Sequence, residues 1–365
     1  MAQRGVTAAP PTRPRYALHF EGDTLYAAML DAINSAAVCV RLESYIFAND
    51  EVGNAFIDAL VGAARRGASV RLHVDAVGSL FALDANMQRR LAHPKIAWRW
   101  FHPLRLHQLG DYNRRNHRKL LTVDGRLAFL GGFNIHRASS RRWYGPTRWR
   151  DTHIEIEGPL VRQAETLFDF LWKTPPKEPA HLYGEGPWQL LSNHSPEHRN
   201  QMAALFSAKI NQARDRVLVT NPYFVPERAG RELLAAAARR GAAVWLLLPY
   251  KNDFPLTHWA SQAAYAELLS AGVRVFEYQP RLLHAKSLVV DDWSTLGSAN
   301  FDRRSLRYNY ELNLVAKDCQ LADALAEQFW ADLEDAEEVL QHPWKRRPWS
   351  SRLNEFIGWI ARRWL

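Results

Sequence analysis

The chain has 365 residues but only two cysteines, Cys39 and Cys319. They lie far apart in the sequence, and neither has the neighbours that the ligand spacing of a zinc site requires. Two buried, unpaired thiols in a reducing compartment are therefore favoured over a disulfide or a metal site.

Long apolar runs are also lacking. No stretch of about 18 or more uncharged apolar residues occurs, so no membrane-spanning helix is expected. The opening residues, MAQRGVTAAPPTRPR, carry charge and proline but no apolar core, which argues against a secretory signal. Apolar residues nevertheless make up 47% of the chain and charged residues 23%, as in a globular protein. The net charge of +9 suits a nucleic acid, an anionic membrane surface or a phosphate-bearing substrate, and does not choose among them.

One pattern of chemically active residues occurs twice. Residues 117–134, HRKLLTVDGRLAFLGGFN, contain His-x-Lys, four further residues, Asp and then a Gly-Gly-x-Asn turn. Residues 284–300, HAKSLVVDDWSTLGSAN, repeat His-x-Lys-x4-Asp without a gap. Two copies of such a spacing in one chain point to a duplicated functional motif rather than to chance.

The predicted secondary structure is duplicated as well. Apolar periodicity predicts helices and strands in the same order before and after each motif, and the block AARRGA is identical in the two halves. The predicted helices of the first half are 23–36, 52–67, 82–91 and 160–173, and its strands include 38–47, 95–101 and 150–158. The counterparts in the second half include helices at 200–214 and 321–340 and strands at 273–278 and 309–316.

We therefore predict a tandem duplication with two mixed α/β lobes. The predicted divisions are a flexible N-terminal arm (1–14), a first lobe (15–176), a Pro- and Gly-rich linker (177–187), a second lobe (188–342) and a basic amphipathic tail (343–365). Halves of a duplicated fold often surround a pseudo-twofold axis. Such an axis would bring both motifs to one cleft between the lobes.

The repeated residue types suit phosphoryl transfer. Histidine can attack phosphorus or move a proton, lysine binds phosphate oxygens as a compact cation, and Asn and Gly-rich turns offer hydrogen-bond donors. Two copies would supply a nucleophile, a general acid and enough positive charge to stabilise the transition state without a metal or another cofactor. The candidate residues are His117, Lys119, Gly132 and Asn134 in the first copy and His284, Lys286, Ser298 and Asn300 in the second.

Each histidine also needs a partner on its other ring nitrogen, which fixes the tautomer. Alignment of the strands that follow the motifs places Asp151 opposite Glu311. We predict that Asp151 pairs with His117 and that Glu311 pairs with His284, with Glu155 as the alternative partner in the first half.

Other residues in or near the motifs have less certain roles in this scheme. The motif aspartates, Asp124 and Asp291, stand among the candidate catalytic residues, but each follows an apolar strand, and a structural role in the turn there is favoured. His136 and His153 lie close to the site elements in sequence and are secondary candidates for contact with substrate.

These residues resemble the phospholipase D superfamily, whose signature is the HKD motif, H-x-K-x4-D, followed by G-[GS]-x-N. The resemblance covers Tyr16 to Gln341. The phrases NRRNHRKLLTVDGRLAFLGGFNI and GSANFDRRS are similar to bacterial cardiolipin synthases, particularly the shorter type B branch without N-terminal transmembrane helices. The resemblance implies two α-β-α sandwich lobes with the active site at their interface. It also implies transfer of a phosphatidyl group from a phospholipid to an alcohol such as phosphatidylglycerol.

The same resemblance implies a two-step reaction through phosphohistidine. One histidine attacks phosphorus while the other protonates the leaving alcohol and then activates the incoming hydroxyl. We assign His117 as the nucleophile and His284 as the acid and base, although the symmetry of the motifs leaves the opposite assignment open.

Two segments rich in basic or aromatic residues indicate what the protein could bind. Arg114, Arg115 and Arg118 form either a solvated basic face or a rim that gathers anionic headgroups. The segment 137–150 interleaves five arginines with Trp143, Tyr144 and Trp149, which favours a phospholipid surface over single-stranded nucleic acid.

The C-terminal tail points the same way. On a helix, its large apolar residues share one stripe, as in a helix that lies in the membrane plane; they are Trp349, Leu353, Phe356, Ile357, Ile360 and Trp364. We expect a peripheral protein on the cytoplasmic side of a bacterial cell membrane, with anionic phospholipids as partners and no nucleic acid. The alternatives are a phosphodiesterase or nuclease of the same superfamily and a non-catalytic membrane-binding protein.

Overall fold

The computed structural model describes residues 13–80, 84–103, 113–172, 186–345, 356–358 and 360. Most of the predicted N-terminal arm, residues 177–185 of the predicted linker and most of the predicted tail lie outside these residues.

The first half of the chain forms a mixed sheet of seven strands. The strands are β1 (Arg15–His19), β2 (Cys39–Ser44), β3 (Ser69–Asp75), β4 (Ile96–Phe101), β5 (Leu120–Val123), β6 (Leu127–Gly131) and β7 (His153–Glu157). Their order is β1-β7-β6-β5-β2-β3-β4, in which β2, β3 and β4 are parallel and the other pairings are antiparallel. The sequence of β5, LLTV, has no charged residue on either face, because the strand is central in the sheet and all four residues are buried.

The second half repeats this sheet and adds one strand. Its strands are β8 (Trp188–Ser192), β9 (Arg216–Thr220), β10 (Ala243–Pro249), β11 (Arg274–Tyr278), β12 (Ser287–Val290), β13 (Trp293–Gly297), β14 (Leu312–Lys317) and β15 (Ala336–Glu338). Read from β8, the order β8-β14-β13-β12-β9-β10-β11 reproduces that of the first sheet strand for strand, and β15 is added beside β11. The two sheets have the same topology, as a duplication requires.

The predicted helices occur in the predicted order, but their ends differ, and the structure contains further helices that the sequence analysis did not predict. They are α1 (Gly22–Asn34), α2 (Glu51–Arg65), α3 (Ala85–Arg90), α4 (Arg141–Tyr144), α5 (Leu160–Trp172), α6 (Pro196–Gln212), α7 (Arg228–Arg239), α8 (Pro255–Ser270), α9 (Arg303–Arg307), α10 (Cys319–Glu334) and α11 (Gln341–Lys345). The prediction of one helix over 321–340 is wrong at its end. The helix stops at Glu334, because residues 336–338 pair with the edge strand β11 instead.

The two lobes share a central apolar core. Buried residues of α5 and α10, among them Phe168 and Phe329, form one cluster with strands of both sheets. Two further cores lie within single lobes, one involving α1 and α2 and the other involving α6, α7 and α8. This arrangement confirms the predicted pair of α/β lobes with helices on both faces of each sheet.

The sequence predicted that there is no membrane-spanning helix and that the two cysteines are buried and unpaired. Within the described ranges, no helix has the length and apolar character needed to cross a bilayer. Both cysteines are unpaired, as expected, but the prediction that both are buried is wrong: Cys319 is exposed and Cys39 is partly buried.

Candidate active site

Each HKD motif begins where its lobe meets the other. His117 and Lys119 directly precede β5, and His284 and Lys286 directly precede β12. Isolated parallel bridges join the lobes at these points, Asn116 to Tyr310 and Arg150 to Leu283. The peptide N–H of His117 donates to the carbonyl of Tyr310 (2.9 Å), and that of His284 donates to the carbonyl of Arg150 (2.6 Å).

Because of these bridges, each motif histidine has its carboxylate partner in the other lobe. Nδ1 of His117 lies 3.0 Å from Oε2 of Glu311, and Nδ1 of His284 lies 2.5 Å from Oδ2 of Asp151. The predicted pairing within each half is therefore wrong. Because each bridge sets a histidine beside the residue that follows Tyr310 or Arg150, each half supplies the carboxylate of the other.

The alternative partner in the first half is also excluded by its position. Glu155 points toward β1, where its Oε2 lies 3.3 Å from Nε2 of His19.

The motif lysines lie beside the histidines. Nζ of Lys119 donates to the carbonyl oxygen of His117 (2.6 Å), and Lys286 donates to the carbonyl oxygen of His284. Nζ of Lys286 also lies 2.8 Å from Nδ1 of His284. One nitrogen cannot donate a proton to Asp151 and accept one from Lys286. We assign the proton to Nδ1, because the contact with the carboxylate is the shorter one.

Burial sets the protonation of the site. It lowers the pKa of His117, and, together with the charge of Lys286, it lowers that of His284 to about 3. Burial alone would raise the pKa of Asp151 and Glu311, but the interactions with the motif histidines and lysines, including the hydrogen bonds from the histidines, bring both below their ordinary values. At neutral pH both imidazoles are thus neutral, with Nδ1–H bound to a carboxylate and Nε2 left to act on a substrate.

The same burial weakens the charge of the lysines. It lowers the pKa of Lys119 to about 7 and that of Lys286 to about 8. A lysine is cationic below its pKa, so these side chains lose their charge just above neutral pH in the absence of an anion. A bound phosphate would restore it.

This leads to a prediction for the pH dependence. We expect kcat/KM for a soluble phosphodiester to fall as the pH rises from about 7 to 9, while kcat changes less because the bound anion keeps the lysines protonated. Asp302, whose pKa burial raises to about 7, gains negative charge over the same range and would add to the fall. In Lys119→Arg the guanidinium stays charged, so any fall that remains in this variant belongs to Lys286 or Asp302. A wild-type kcat/KM that is constant over this range would contradict the prediction.

The motif aspartates stabilise the turns at the far ends of the motif strands. Asp124 accepts hydrogen bonds from the backbone N–H groups of residues 37–39 at 2.7 to 2.8 Å. Asp291 accepts those of residues 214–216, each at 3.0 Å. Both have positive φ, 52° and 51°. Their geometry agrees with the structural role favoured from the sequence, and they are not placed to touch a substrate.

The Gly-[Gly/Ser] positions support the carboxylates. A Cβ at Gly132 would lie 2.0 Å from Oδ1 of Asp151. At the equivalent position Ser298 donates through Oγ to Oε2 of Glu311 at 2.5 Å. The larger residue therefore fits one lobe only, where it holds the carboxylate in place.

A methyl group at residue 132 should therefore disable the site. We expect Gly132→Ala to displace Asp151 from His284 and to lower turnover of a soluble phosphodiester by roughly 100-fold or more, since catalytic groups tolerate little displacement. Gly62→Ala is a matched control, because the added Cβ meets only the end of the Arg66 side chain, at 3.3 Å. Thermal unfolding of both variants would check that they remain folded. Wild-type turnover in Gly132→Ala would show that the carboxylate does not need this position.

The two histidines line a cavity of about 450 Å³ between the lobes. Its lining also includes Asn134 and Asn300, in agreement with their predicted place in the site. Trp149, from the Arg- and Trp-rich segment 137–150, lines it as well. Oδ1 of Asn134 accepts from the N–H of Ile46 (3.1 Å), so its amide nitrogen is the group left for a phosphate oxygen. Edge-to-face rings flank each histidine, Tyr45 at 5.0 Å from His117 and Tyr223 at 6.0 Å from His284.

The sequence analysis missed several cavity residues, most of them from the second lobe. They are Tyr45, Ile46, Tyr223, Val225, Asp253, Phe254, Thr257, Asp302, Arg304, Ser305 and Asn309. The available signal was the position of Asp302 and Arg304 just after the second motif, in the phrase GSANFDRRS. His136 and His153 are buried but do not line the cavity. His136 packs against Trp149, and His153 packs against Phe133.

The arginines next to the first motif do not form a surface. Arg115 and Arg118 are buried and pair with Asp75 (3.1 Å) and Glu43 (2.7 Å). Only Arg114 of the three is exposed. Arg150, from the segment 137–150, is also buried and binds Asp332 of the other lobe at 2.5 Å. These ion pairs fix the motif and the lobe interface, and Arg115 and Arg118 form neither the solvated basic face nor the headgroup rim that the sequence left open.

Two HKD motifs that exchange carboxylate partners around one cavity define a duplicated enzyme of the phospholipase D type. The sequence profile described as "Cardiolipin synthase, PLD-like domain" matches residues 29–172 and 206–333. The chain belongs to this cardiolipin synthase family of phospholipase D-like proteins, and the predicted class of enzyme, a transferase of phosphatidyl groups, is confirmed.

Known proteins resemble this chain in sequence or in fold. The chain is 31% identical to a cardiolipin synthase of Oceanobacillus iheyensis, over 93% of this chain and 72% of that protein. It is 31% identical to a cardiolipin synthase of Clostridium perfringens, over 93% of this chain and 75% of that protein. Among solved structures, phosphatidylserine synthase of Haemophilus influenzae Rd KW20 matches with a TM-score of 0.72 and 14% identity, covering 96% of this chain and 92% of that one. At this identity the structural likeness concerns the fold alone.

Proposed function

We propose that this protein makes cardiolipin, or a related phospholipid, by transferring a phosphatidyl group from phosphatidylglycerol to an alcohol acceptor, itself phosphatidylglycerol in cardiolipin synthesis. The observation that carries the proposal is the pair of neutral, carboxylate-bound histidines at one cavity, each next to a buried lysine. The cardiolipin synthases that the chain resembles support the choice of substrate.

The proposed reaction has two steps and needs no metal. Nε2 of His117 attacks phosphorus, the P–O bond to the leaving glycerol breaks, and His284 gives a proton to the glycerol oxygen. Lys119 and Lys286 stabilise the charge on the phosphoryl oxygens. His284 then removes the proton of the acceptor hydroxyl, whose oxygen attacks phosphorus and releases His117. The bound phosphodiester anion would raise the pKa of His284 and so allow it to carry the proton.

Exposed apolar side chains support a membrane-bound position for the cavity. Phe254 lines the cavity and is 57% exposed, and Tyr250 nearby is 53% exposed. The described part of the tail packs on α8, which begins directly after Phe254, because Gly358 lies against Trp259 and Ala260 in its first half. The tail residues Phe356, Ile357 and Ile360 remain exposed there. Such a surface suits the headgroup region of a bilayer, where apolar side chains bury and the cavity mouth meets lipid.

The activity can be tested with two substrates. Wild-type protein incubated with phosphatidylglycerol vesicles should form cardiolipin and free glycerol, and His117→Ala and His284→Ala should form neither. A parallel incubation with supercoiled DNA tests the nuclease alternative. Nicked DNA without cardiolipin would overturn the proposal.

The membrane surface gives a separate prediction. We expect Phe356→Ser combined with Ile357→Ser to weaken binding to phosphatidylglycerol vesicles by roughly 10-fold or more, from the lost burial of two apolar side chains. Turnover of a soluble phosphodiester should not change. Val38→Ser is the matched control, since Val38 is 67% exposed beside Asp124, at the end of the motif strand away from the cavity. Equal vesicle binding by the double variant and the control would argue against this surface.

A further inference from the structure

The cavity is asymmetric although the two motifs are alike. Among the described residues that line it, both carboxylates, Asp253 and Asp302, come from the second lobe. Asp302 stands two residues after Asn300, and its counterpart, two residues after Asn134, is His136. His136 packs on Trp149 at a ring distance of 4.9 Å and does not line the cavity. One wall therefore carries carboxyl groups that the opposite wall lacks.

Asp302 is held firmly in this wall. It is buried, its backbone forms a bridge with Val225, and its Oδ1 accepts the peptide N–H of Ser305 at 2.6 Å. Its carboxylate is therefore a fixed part of the cavity rather than a mobile surface group.

A second acceptor beside it lacks a donor. Oδ1 of Asn309 is buried, and no group among the described residues donates to it. Its amide orientation is set by Nδ2, which lies 3.4 Å from Oε1 of Glu311. Asn309 lines the same cavity. A buried acceptor without a partner is costly, so this oxygen is suited to a ligand that donates a hydrogen bond.

The donor–acceptor pattern identifies the ligand class. A phosphodiester anion has only acceptor oxygens and would be repelled by a carboxylate and an amide oxygen. A hydroxyl group donates to such oxygens and can also accept, for example from Arg304 on the same wall. A polyol has hydroxyls on adjacent carbons. One hydroxyl can therefore react at phosphorus while another donates a hydrogen bond to this wall.

We propose that Asp302 and Asn309 form the subsite for the alcohol part of the reaction, and that it takes a glycerol-type polyol in preference to a simple alcohol or water. This inference rests on the proposed function. The leaving glycerol of one step and the attacking hydroxyl of the next would occupy the same subsite, because both bond to phosphorus opposite the same histidine.

The test separates this subsite from the first chemical step. A phosphatidyl donor with a nitrophenol leaving group would form the phosphoenzyme without using a polyol subsite. Glycerol and 1-propanol then compete as acceptors. We expect wild-type protein to favour glycerol by about 10-fold or more, and Asp302→Asn to reduce that ratio by about 10- to 100-fold, as for a lost hydrogen bond to a charged group. Because both acceptors react with the same phosphoenzyme, their ratio does not depend on the rate of the first step, and release of nitrophenol is measured separately to confirm that the phosphoenzyme forms.

Two further variants keep the outcome clear. Asp318→Asn makes the same change at another helix N-cap, where Oδ1 accepts the N–H of Leu321 at 3.0 Å, and should leave the ratio unchanged. If Asp302→Asn does not fold, Asp302→Ser keeps an N-cap acceptor and removes the charge. An unchanged acceptor ratio in a folded Asp302 variant, or a wild-type protein that does not discriminate, would overturn the subsite. Absence of any phosphatidyl product from wild type would instead overturn the proposed function.

Discussion

Replacing His284 with alanine should leave a phosphorylated protein, and replacing His117 should leave none. With a nitrophenyl donor the leaving group needs no proton, so His117 can still attack phosphorus in His284→Ala. The second step then stalls, because no base activates the acceptor hydroxyl. Steady turnover should fall by about 10⁴-fold or more in both variants.

Radioactive phosphorus in the donor makes this measurable. Label retained by the denatured protein in base but released in acid identifies phosphohistidine, and peptide mapping locates it. His342→Ala is the control, since this exposed histidine lies in α11, outside the cavity lining, and should turn over normally. Label trapped in His117→Ala but not in His284→Ala would exchange the two roles. No label in either would reject the covalent intermediate.

Glu311→Gln should lower turnover by about 10³- to 10⁴-fold, because the amide no longer fixes the tautomer of the imidazole it contacts. The structure specifies that this imidazole is His117, from the other half of the chain. Asp151→Asn should have an effect of similar size through His284.

Proton spectra of protein labelled with ¹⁵N-histidine would show which pair is broken. Each carboxylate-bound Nδ1–H should give a downfield signal, assigned by its loss in His117→Ala or His284→Ala. Glu311→Gln should remove the His117 signal and keep that of His284, and Asp151→Asn should do the reverse. Glu155→Gln, which alters the carboxylate next to His19, should keep both. If Glu311→Gln removed the His284 signal instead, the partners would lie within one half.

Local patterns in the sequence were enough to predict the chemistry and the duplication. His-x-Lys places both functional side chains on the same side of an extended segment, because side chains alternate along a strand. This local rule repeats in both halves and is therefore visible without a structure. The turn aspartates were also interpretable, since Asp124 and Asp291 each end a short buried strand.

The carboxylate partners of the histidines and the shape of the cavity depend on contacts between residues that are far apart in the sequence. The histidine–carboxylate pairs join residues 194 and 133 positions apart, and only the bridges between lobes bring them together. The same alternation that places His117 and Lys119 on one side of the segment turns Arg118 to the other side, where it pairs with Glu43. The position of Arg118 in an arginine cluster had left a surface charge open. The wall formed by Asp302 and Asn309 likewise arises from the packing of the second lobe. Local spacing fixes which groups are available, but the packing of the two lobes against each other fixes which groups meet.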